Sequence, residues 1–327
     1  MNSILFCSVG RRGRLLQDFK KTLGNKTRLI ATDNDNTAPA LYFADKQYIV
    51  PKITEPNYLK VILKICEKEN IKAITTLIDP EIELLSKNRQ MFLDNGILPL
   101  CPSEKTAKLC FDKYEMYKHL KSKNIDTVLT YDNFVDFQVG LEKKEISFPV
   151  FIKPRDGSGS VGAHKVENIN KLKSYLEEGT HKYLIQEFME GGDIDADVYI
   201  DCISNKPVSV FAKKKLETRI GGANKTVSFK DEKLFSFIKK ALTVFEFYGP
   251  VDMDFFYNNG KYFLSEINPR FGGAYIHAYG AGVDFIKMIE NNTLGLSNQE
   301  DIGSYDENIV MMMYDDVVIK RKSELVI

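Results

Sequence analysis

The feature that most constrains the fold is the alternation of apolar runs with amphipathic stretches over the first hundred residues. The run SILFCSV at 3–9 is followed by GRRG and by the helical pattern RLLQDFKKTL. Two further strand-like runs, RLIATD and AITTLI, lie on either side of an amphipathic segment at 58–70. Strands that alternate with helices of this length predict a parallel sheet. We therefore predict a doubly wound α/β unit over residues 1–105, with LPLCPS as its last short strand.

The pattern changes from residue 106 onward. A helical pattern, TAKLCFDKYEMYKHLKSKN, is followed by the strand-like runs FPVFIKP and AHKV and by a helix at 168–179. Beyond residue 183 the chain is rich in strands, and NNG separates two apolar runs as a hairpin turn would. We predict an α+β region with antiparallel strand pairs over residues 106–327.

Composition narrows the classes of partner. Forty-five basic residues balance forty-five acidic ones, whereas a nucleic-acid or anionic-membrane partner selects for a basic surface. The five cysteines are scattered and form no C-x-x-C pair, and no apolar run approaches the length of a membrane span. We expect a cytoplasmic protein with no nucleic-acid partner and no membrane partner.

A glycine-rich stretch, FIKPRDGSGSVG at 151–162, contains the spacing G-x-G-x-x-G. Dinucleotide-binding turns need those glycines to open a helix, and Walker A loops need a lysine after them. Here Lys153 precedes the glycines, and the next segment resembles a strand. A flexible hairpin without a ligand is one interpretation. A lysine beside the N–H groups of a glycine hairpin also makes an anion clamp that closes over phosphates.

Carboxylates follow far downstream, in DMDFF at 252–256 and SEINPR at 265–270. These runs are predicted to pair as neighbouring strands, and their period-2 alternation lets Asp254, Glu266 and Asn268 converge on one face. Two carboxylates and an amide oxygen are a donor set that Mg²⁺ accepts. The alternative is a surface hairpin with solvated acids, although apolar strands rarely carry acids on one shared face.

The order of these motifs resembles the ATP-grasp superfamily, and in particular short ligases similar to the large subunit of carbamoyl phosphate synthase. The motifs are FDKYEMY, FIKPRDGSGSVG, QEFMEGGD, DMDFF and SEINPR. The resemblance covers about residues 1–300. It implies an α/β N-terminal Rossmann-like (pre-ATP-grasp) domain at 1–105 and a two-lobed α+β ATP-grasp domain at 106–327. The small lid lobe would cover about 113–185, and the larger catalytic lobe about 186–327.

The resemblance also implies a set of nucleotide-binding residues. The two lysines would contact the ATP phosphates, the glycine loop would close over them, residues 186–189 would meet the adenine edge, and an aspartate would bind the ribose. The set comprises Lys113, Lys153, Gly157, Ser158, Gly159, Ser160, Gly162, Gln186, Glu187, Phe188, Met189 and Asp193. Gln186 departs from the glutamate of many relatives, which puts its adenine contact in doubt.

Metal and catalytic roles follow from the same resemblance. Asp254, Glu266 and Asn268 would hold one or two Mg²⁺, with Mn²⁺ as a substitute, and Asp254 stands where several relatives use glutamate. Arg270 would face an acyl phosphate together with Lys153, and Arg219 and the lysines at 213–215 are candidates to steady it.

Simpler structural roles remain open for several of these residues. Lys113 can be a solvated helix lysine, Asp193 a turn residue, and Arg270 the cap of a turn after Pro269. In the resemblance the N-terminal domain lines the substrate cleft, so Gly10–Gly13 and Asp79–Glu81 are candidate contacts. His277 is expected near enough to the site to touch substrate.

The implied activity is an ADP-forming ligase that activates a small-molecule carboxylate as an acyl phosphate for attack by an amine or similar nucleophile. Such chemistry needs positioning and charge neutralisation rather than a protein nucleophile. The alternatives are a small-molecule kinase on the same ATP site and a non-catalytic ATP-binding module. The sequence leaves open whether the protein is a homodimer.

Overall fold

The computed structural model describes residues 2–157, 162–179, 181–219 and 222–327. Three predicted loop residues, Ser158, Gly159 and Ser160, lie outside the described residues. Within the described ranges, the strands form three sheets of five, four and six strands. No helix in these ranges has the length and apolar character needed to cross a membrane.

The first sheet is parallel throughout and has the strand order β3-β2-β1-β4-β5. Its strands are β1 (Asn2–Cys7), β2 (Thr27–Asp33), β3 (Lys46–Ile49), β4 (Ile71–Thr76) and β5 (Leu98–Pro99). Its helices are α1 (Gly13–Leu23), α2 (Tyr58–Lys68), α3 (Asp79–Lys87) and α4 (Arg89–Asp94), with a 3₁₀ turn at Pro39–Phe43. Apolar side chains pack on both faces of the sheet. The predicted parallel α/β domain is confirmed.

Two helices link this domain to the next sheet, where the sequence predicted one. They are α5 (Glu104–Phe111) and α6 (Lys113–Ser122). The single-helix prediction is wrong because Asp112 interrupts the segment. Its carboxylate accepts hydrogen bonds from the backbone N–H groups of Tyr114 and Glu115, as the N-cap of a new helix does. It also pairs with Arg155 at 2.7 Å.

The second sheet is small and antiparallel, with the order β6-β9-β7-β8. Its strands are β6 (Thr130–Tyr131), β7 (Val150–Pro154), β8 (His164–Val166) and β9 (Tyr183–Glu187), and its helices are α7 (Phe134–Glu142) and α8 (Ile169–Glu177). A separate apolar cluster around Phe137 and Ile152 fills the space beneath the helices. The glycine loop connects β7 to β8, and α8 begins only at Ile169. The prediction that the glycines lie between two strands is confirmed.

The third sheet is antiparallel and has the order β14-β13-β10-β11-β12-β15. Its strands are β10 (Gly192–Ile200), β11 (Pro207–Arg219), β12 (Gly222–Phe229), β13 (Gly249–Asn258), β14 (Lys261–Asn268) and β15 (Val310–Met312). The helix α9 (Glu232–Leu242) lies between β12 and β13, and α10 (Tyr275–Gly280) and α11 (Phe285–Thr293) lie between β14 and β15. A 3₁₀ turn lies at Lys322–Glu324. Asn259 and Gly260 have positive φ angles of 50° and 78°, which the tight turn requires. The predicted NNG hairpin is confirmed.

The first and third sheets share one apolar core. Phe6 of β1 contacts Phe19 of α1, with ring centroids 4.7 Å apart, and Phe19 contacts Phe271 beyond β14 at 5.7 Å. Because these rings form one chain of contacts, the end of β14 is held against the carboxyl ends of the parallel strands.

Candidate active site

One face of the third sheet carries charged side chains, which we call the acidic face. Three alternate residues of β10 lie on it, and the strand register sets two of them, Asp195 and Asp197, opposite acids of β13. Two rows result across β10, β13 and β14, since Asp195, Asp254 and Glu266 are successive partners, as are Asp197, Asp252 and Asn268. The residues of the acidic face are Asp193, Asp195, Asp197, Asp252, Asp254, Glu266 and Asn268. Their opposite neighbours in the strands are apolar and face the shared core.

The predicted metal ligands meet within this face. Asp254 and Glu266 are direct partners on adjacent antiparallel strands, which places their Cβ atoms about 5 Å apart. The Glu266 side chain is half-buried and forms no hydrogen bond or ion pair with any described residue. Asn268 is buried, and its amide nitrogen lies 3.5 Å from Asp252 Oδ2. A half-buried carboxylate without a partner, beside a second acid and an amide, fits Mg²⁺ by its oxygen donors.

A second group of acids, Asp195, Asp197 and Asp252, has oxygens within 4.8 Å of one another. The ammonium group of a lysine lies among these three carboxylates. Lys213 is completely buried, its Nζ lies 3.0 Å from Asp195 Oδ1, and it donates a hydrogen bond to Asp197. Burial lowers the pKa of Lys213, but the attraction of the neighbouring aspartates outweighs it and raises the pKa above its ordinary value. Lys213 is therefore the counterion of this group, and the expectation that it steadies an acyl phosphate is wrong.

Burial also acts on Asp252, the third acid of this group. It raises the pKa of Asp252, and the charge of Asp195 raises it further. The pKa of one acid rises in this way because three carboxylates share the single ammonium of Lys213.

Lys215 lies on the same strand face as Lys213, two residues further along β11. Its Nζ is 2.5 Å from Asp254 Oδ1 and 3.0 Å from Asp193 Oδ1. Lys214, between the two, is exposed and lies over the ring of Phe229 at 5.1 Å. The pairing of Lys215 was not predicted from the sequence, although period-2 alternation of lysines and of aspartates is visible in AKKKL and DIDAD.

Two further lysines approach the acidic face from the small sheet. Lys153 lies on β7 and makes no hydrogen bond or ion pair with the described residues. Burial lowers its pKa, while the charge of Glu266 opposes this shift and that of Lys113 adds to it. Lys113 begins α6, and its Nζ donates a 2.5 Å hydrogen bond to the carbonyl of Gly157. Both lysines therefore lie next to the start of the glycine loop, where the sequence placed them.

The predicted hinge residues lie at the end of β9 and directly after it. The Gln186 side chain is buried and donates a 2.7 Å hydrogen bond to Thr130 Oγ1, so its amide is occupied inside the small sheet. Lys165 lies 4.6 Å from the centre of the Phe188 ring. Burial raises the pKa of Glu187, and Met189 is buried.

Arg270 joins the acidic face to the N-terminal domain. It pairs with Asp79 at 2.7 Å and lies 3.5 Å from Asp252. Arg12 also crosses the interface and donates to the carbonyl of Gly272 at 2.6 Å. Arg270 is therefore part of an ion-pair network between domains, and it also donates to the carbonyl of Phe271 in the turn after Pro269.

The remaining candidates lie elsewhere. Arg219, at the end of β11, is 62% exposed and pairs with Asp315 at 3.2 Å. His277 is buried, lies 2.7 Å from Thr226 Oγ1 and packs against Phe211. Burial and the charge of Lys213 lower the pKa of His277 to about 4. A buried neutral histidine with these neighbours is structural, and the expectation of a substrate contact is wrong.

Two known families match parts of this sequence. A family described as "PylC-like, N-terminal domain" matches residues 4–100. A second, described as "ATP-grasp domain", matches residues 110–274, which is half of the chain. The chain belongs to the ATP-grasp family.

Named relatives are distant. The ATP-grasp chain described here is 27% identical over 181 residues to formate-dependent phosphoribosylglycinamide formyltransferase of Sulfurisphaera tokodaii, an alignment covering 54% of this chain and 43% of that protein. It is 23% identical to the carbamoyl phosphate synthase large chain of Thermoanaerobacter sp., over 90% of this chain and 28% of that protein. The chain thus spans less than half the length of these two relatives.

Solved structures share the fold. The biotin carboxylase domain of Hydrogenobacter thermophilus 2-oxoglutarate carboxylase, a dimer in complex with MgADP and bicarbonate, superposes with a TM-score of 0.74 at 19% identity. That match covers 94% of this chain and 73% of the other. Staphylococcus aureus N5-carboxyaminoimidazole synthetase with ADP gives a TM-score of 0.72 at 16% identity, over 91% of this chain and 78% of the other.

Proposed function

We propose that this protein is an ATP- and Mg²⁺-dependent ligase that activates a small-molecule carboxylate as an acyl phosphate. An amine or similar nucleophile then displaces phosphate, and ADP and phosphate are released. Membership of the ATP-grasp family supports the use of ATP with Mg²⁺, and relatives named as ligases and carboxylases support the reaction class.

The observation that carries this proposal is the juxtaposition of opposite charges across a cleft. Neither the Glu266 carboxylate nor the Lys153 ammonium forms an ion pair with a described residue, although the charge of Glu266 acts on Lys153. A divalent metal ion would neutralise the carboxylate, and a polyphosphate bound to that ion would neutralise the lysine. Catalysis at such a site consists of orienting the γ-phosphate and neutralising its charge.

Each predicted residue keeps a proposed role. Asp254, Glu266 and Asn268 would line the metal site, Lys113 and Lys153 would contact the phosphates, and the loop 157–162 would cover them. We propose that residues 186–189 meet the adenine mainly through backbone groups, because the Gln186 amide is already bonded to Thr130.

Arg270 would face the acyl phosphate from the interdomain side. Its partner Asp79 belongs to the N-terminal domain, so that domain would line the acceptor cleft. Arg219 would reach the acyl phosphate only by leaving Asp315, and Asp193 would reach the ribose only by sharing its contact with Lys215.

The organisation of the chain is proposed in the same terms. We place the domain boundary near residue 105, the lid lobe at about 113–185 and the larger lobe at about 186–327. The dimeric structural relative makes a homodimer the assembly to test first, by mass photometry. Five free cysteines support a reducing cytoplasm as the site of action.

The test is phosphate release from ATP and Mg²⁺ in the presence of pooled amino acids and organic acids. The ligase predicts release that depends on the pool, with formation of a condensed product. The variant Glu217→Gln changes an exposed acid of β11 that is paired with Lys225. This variant should release phosphate as the wild type does. A phosphorylated acceptor would assign a kinase instead, and ATP binding without turnover in any pool would assign a binding module.

A further inference from the structure

Lys215 differs from the other lysines of the site because it contacts a metal ligand directly. Its Nζ is 2.5 Å from Asp254 Oδ1 and 3.0 Å from Asp193 Oδ1. An ion pair of this length places the ammonium in the space next to Asp254 that a directly bound cation would occupy, since Mg²⁺ binds oxygen at about 2.1 Å.

We propose that Lys215 is a positioning residue that takes the place of one metal ion, so that the nucleotide complex of this protein holds one divalent cation rather than two. The inference rests on the proposed function, since it concerns the same site. Glu266 and Asn268 hold that single ion, and the ammonium of Lys215 supplies the second positive charge at Asp254.

Burial keeps the ammonium where it is. The Lys215 side chain is 12% exposed and that of Asp254 25%, so their attraction is only weakly screened by solvent. The charges facing Lys215 from the neighbouring strands are Asp193 and Asp195 of β10 and Asp254 of β13. Removing the ammonium from this position would leave at least two acids without a partner, which is costly in a partly dry site.

Geometry also separates the two halves of the acidic face. Asp254 and Glu266 are direct partners across β13 and β14, so two Mg²⁺ at the usual separation of about 3.5–4 Å would lie one beside each carboxylate. Lys215 already bonds Asp254, whereas Glu266 bonds no described residue. The chain therefore supplies a cation to Asp254, whereas the carboxylate of Glu266 is available to a metal ion.

The neighbouring lysines show that this placement is specific to Lys215. Lys213 reaches Asp195 and Asp197, deeper in the sheet, and contacts none of the proposed metal ligands. Lys214 points to the opposite face and lies over Phe229. Lys214→Met is accordingly the matched control for Lys215→Met, because it removes the same charge from the same strand.

The experiment measures bound Mn²⁺ per bound nucleotide by equilibrium dialysis and electron paramagnetic resonance. The probes are Mn²⁺ and a non-hydrolysable ATP analogue. The wild type and Lys214→Met should each retain one Mn²⁺, and Lys215→Met should retain two, with spin coupling between them. Two coupled ions in the wild type would overturn the inference while leaving the ligase proposal intact.

The remaining outcomes also decide. A single ion in a folded Lys215→Met protein would show that the lysine does not hold the second position. No nucleotide-dependent Mn²⁺ in the wild type would overturn the proposed function together with the inference. The wild-type stoichiometry needs no variant, so an unstable Lys215→Met would not protect the proposal from refutation.

Discussion

The parallel sheet of the N-terminal domain and the six-stranded sheet of the ATP-grasp domain differ in what they bury. The parallel sheet packs apolar side chains on both faces, with Leu5 and Ile74 on one side and Phe6 on the other. The larger sheet packs Val198, Met253 and their neighbours on one face and carries carboxylates on the other. Both sheets contribute to one core, and the buried Asp195, Asp197 and Asp252 lie on the second.

The difference separates stability from function. Apolar burial on both faces stabilises the first sheet without further partners. Each acid of the second sheet must be matched by a cation or a proton, because an unpaired buried charge is costly. Lys213 and Lys215 match most of them, and Glu266 remains for a ligand.

The largest loss is expected from Lys213→Met. Removing this buried ammonium leaves Asp195 and Asp197 without their counterion, which should cost about 3–5 kcal/mol. Urea denaturation of the variant measures the loss. Lys214→Met, exposed on the other face, should stay within about 0.5 kcal/mol of the wild type. A Lys213→Met protein as stable as the control would show that the acids of this group need no counterion.

A comparable but smaller loss is expected in the apolar sheet. Ile74 of β4 is completely buried, and Ile74→Ala should cost about 2–5 kcal/mol through lost transfer energy and the cavity left behind. Ile203, which is 51% exposed, provides the matched control Ile203→Ala. Nucleotide affinity of the folded Ile74→Ala protein should be unchanged, and a selective loss of binding would contradict the separation drawn here.

The lowered pKa of His277 predicts that the free energy of unfolding depends on pH. Because burial lowers its pKa to about 4, the folded protein binds fewer protons than the unfolded chain between pH 4 and the ordinary histidine pKa of about 6.5. The stability that His277 contributes is thus present above pH 6.5 and is lost as the pH falls to 4, by up to about 3 kcal/mol.

The wild type and His277→Gln should be compared by urea denaturation at several pH values. The difference in their free energies of unfolding should change across this window and level off above pH 7. A difference that does not vary with pH would refute the assignment of a neutral histidine in the folded protein.

The sequence predicted the parallel domain and the Asp254–Glu266 hairpin well because both depend on local patterns. Alternation fixes which side chains share a face, and the NNG turn fixes which strands pair. The helix break at Asp112 was not predicted, although aspartate is one of the residues that commonly cap a new helix.

The contacts that complete the site depend on longer-range placement. Lys215 of β11 reaches Asp254 of β13 because both strands are neighbours of β10 in the sheet. No local sequence pattern specifies which strands are neighbours in a sheet. The register of β13 and β14 also shifts between Asp254 and Phe255, a bulge that period-2 alternation cannot anticipate. The pairing of Arg270 with Asp79 spans 191 residues of sequence and follows only from how the domains pack.

Glu266→Gln is expected to change stability least and function most. The substitution keeps the shape of the side chain and removes one negative charge from a group that bonds no described residue. Turnover should fall by about a hundredfold or more, because a divalent ion in a partly dry cleft loses one of its charged ligands. The free energy of unfolding should stay within about 0.5 kcal/mol of the wild type.

The most direct test of the metal site is calorimetric titration of ATP into the wild type and Glu266→Gln, each with and without Mg²⁺. Glu217→Gln serves as the control for loss of an acid from the same sheet. The account predicts that Mg²⁺ strengthens ATP binding in the wild type and in Glu217→Gln, and that this gain falls about tenfold or more in Glu266→Gln. Matching titrations for the wild type and Glu266→Gln would contradict the metal site, and with it the main support for a ligase.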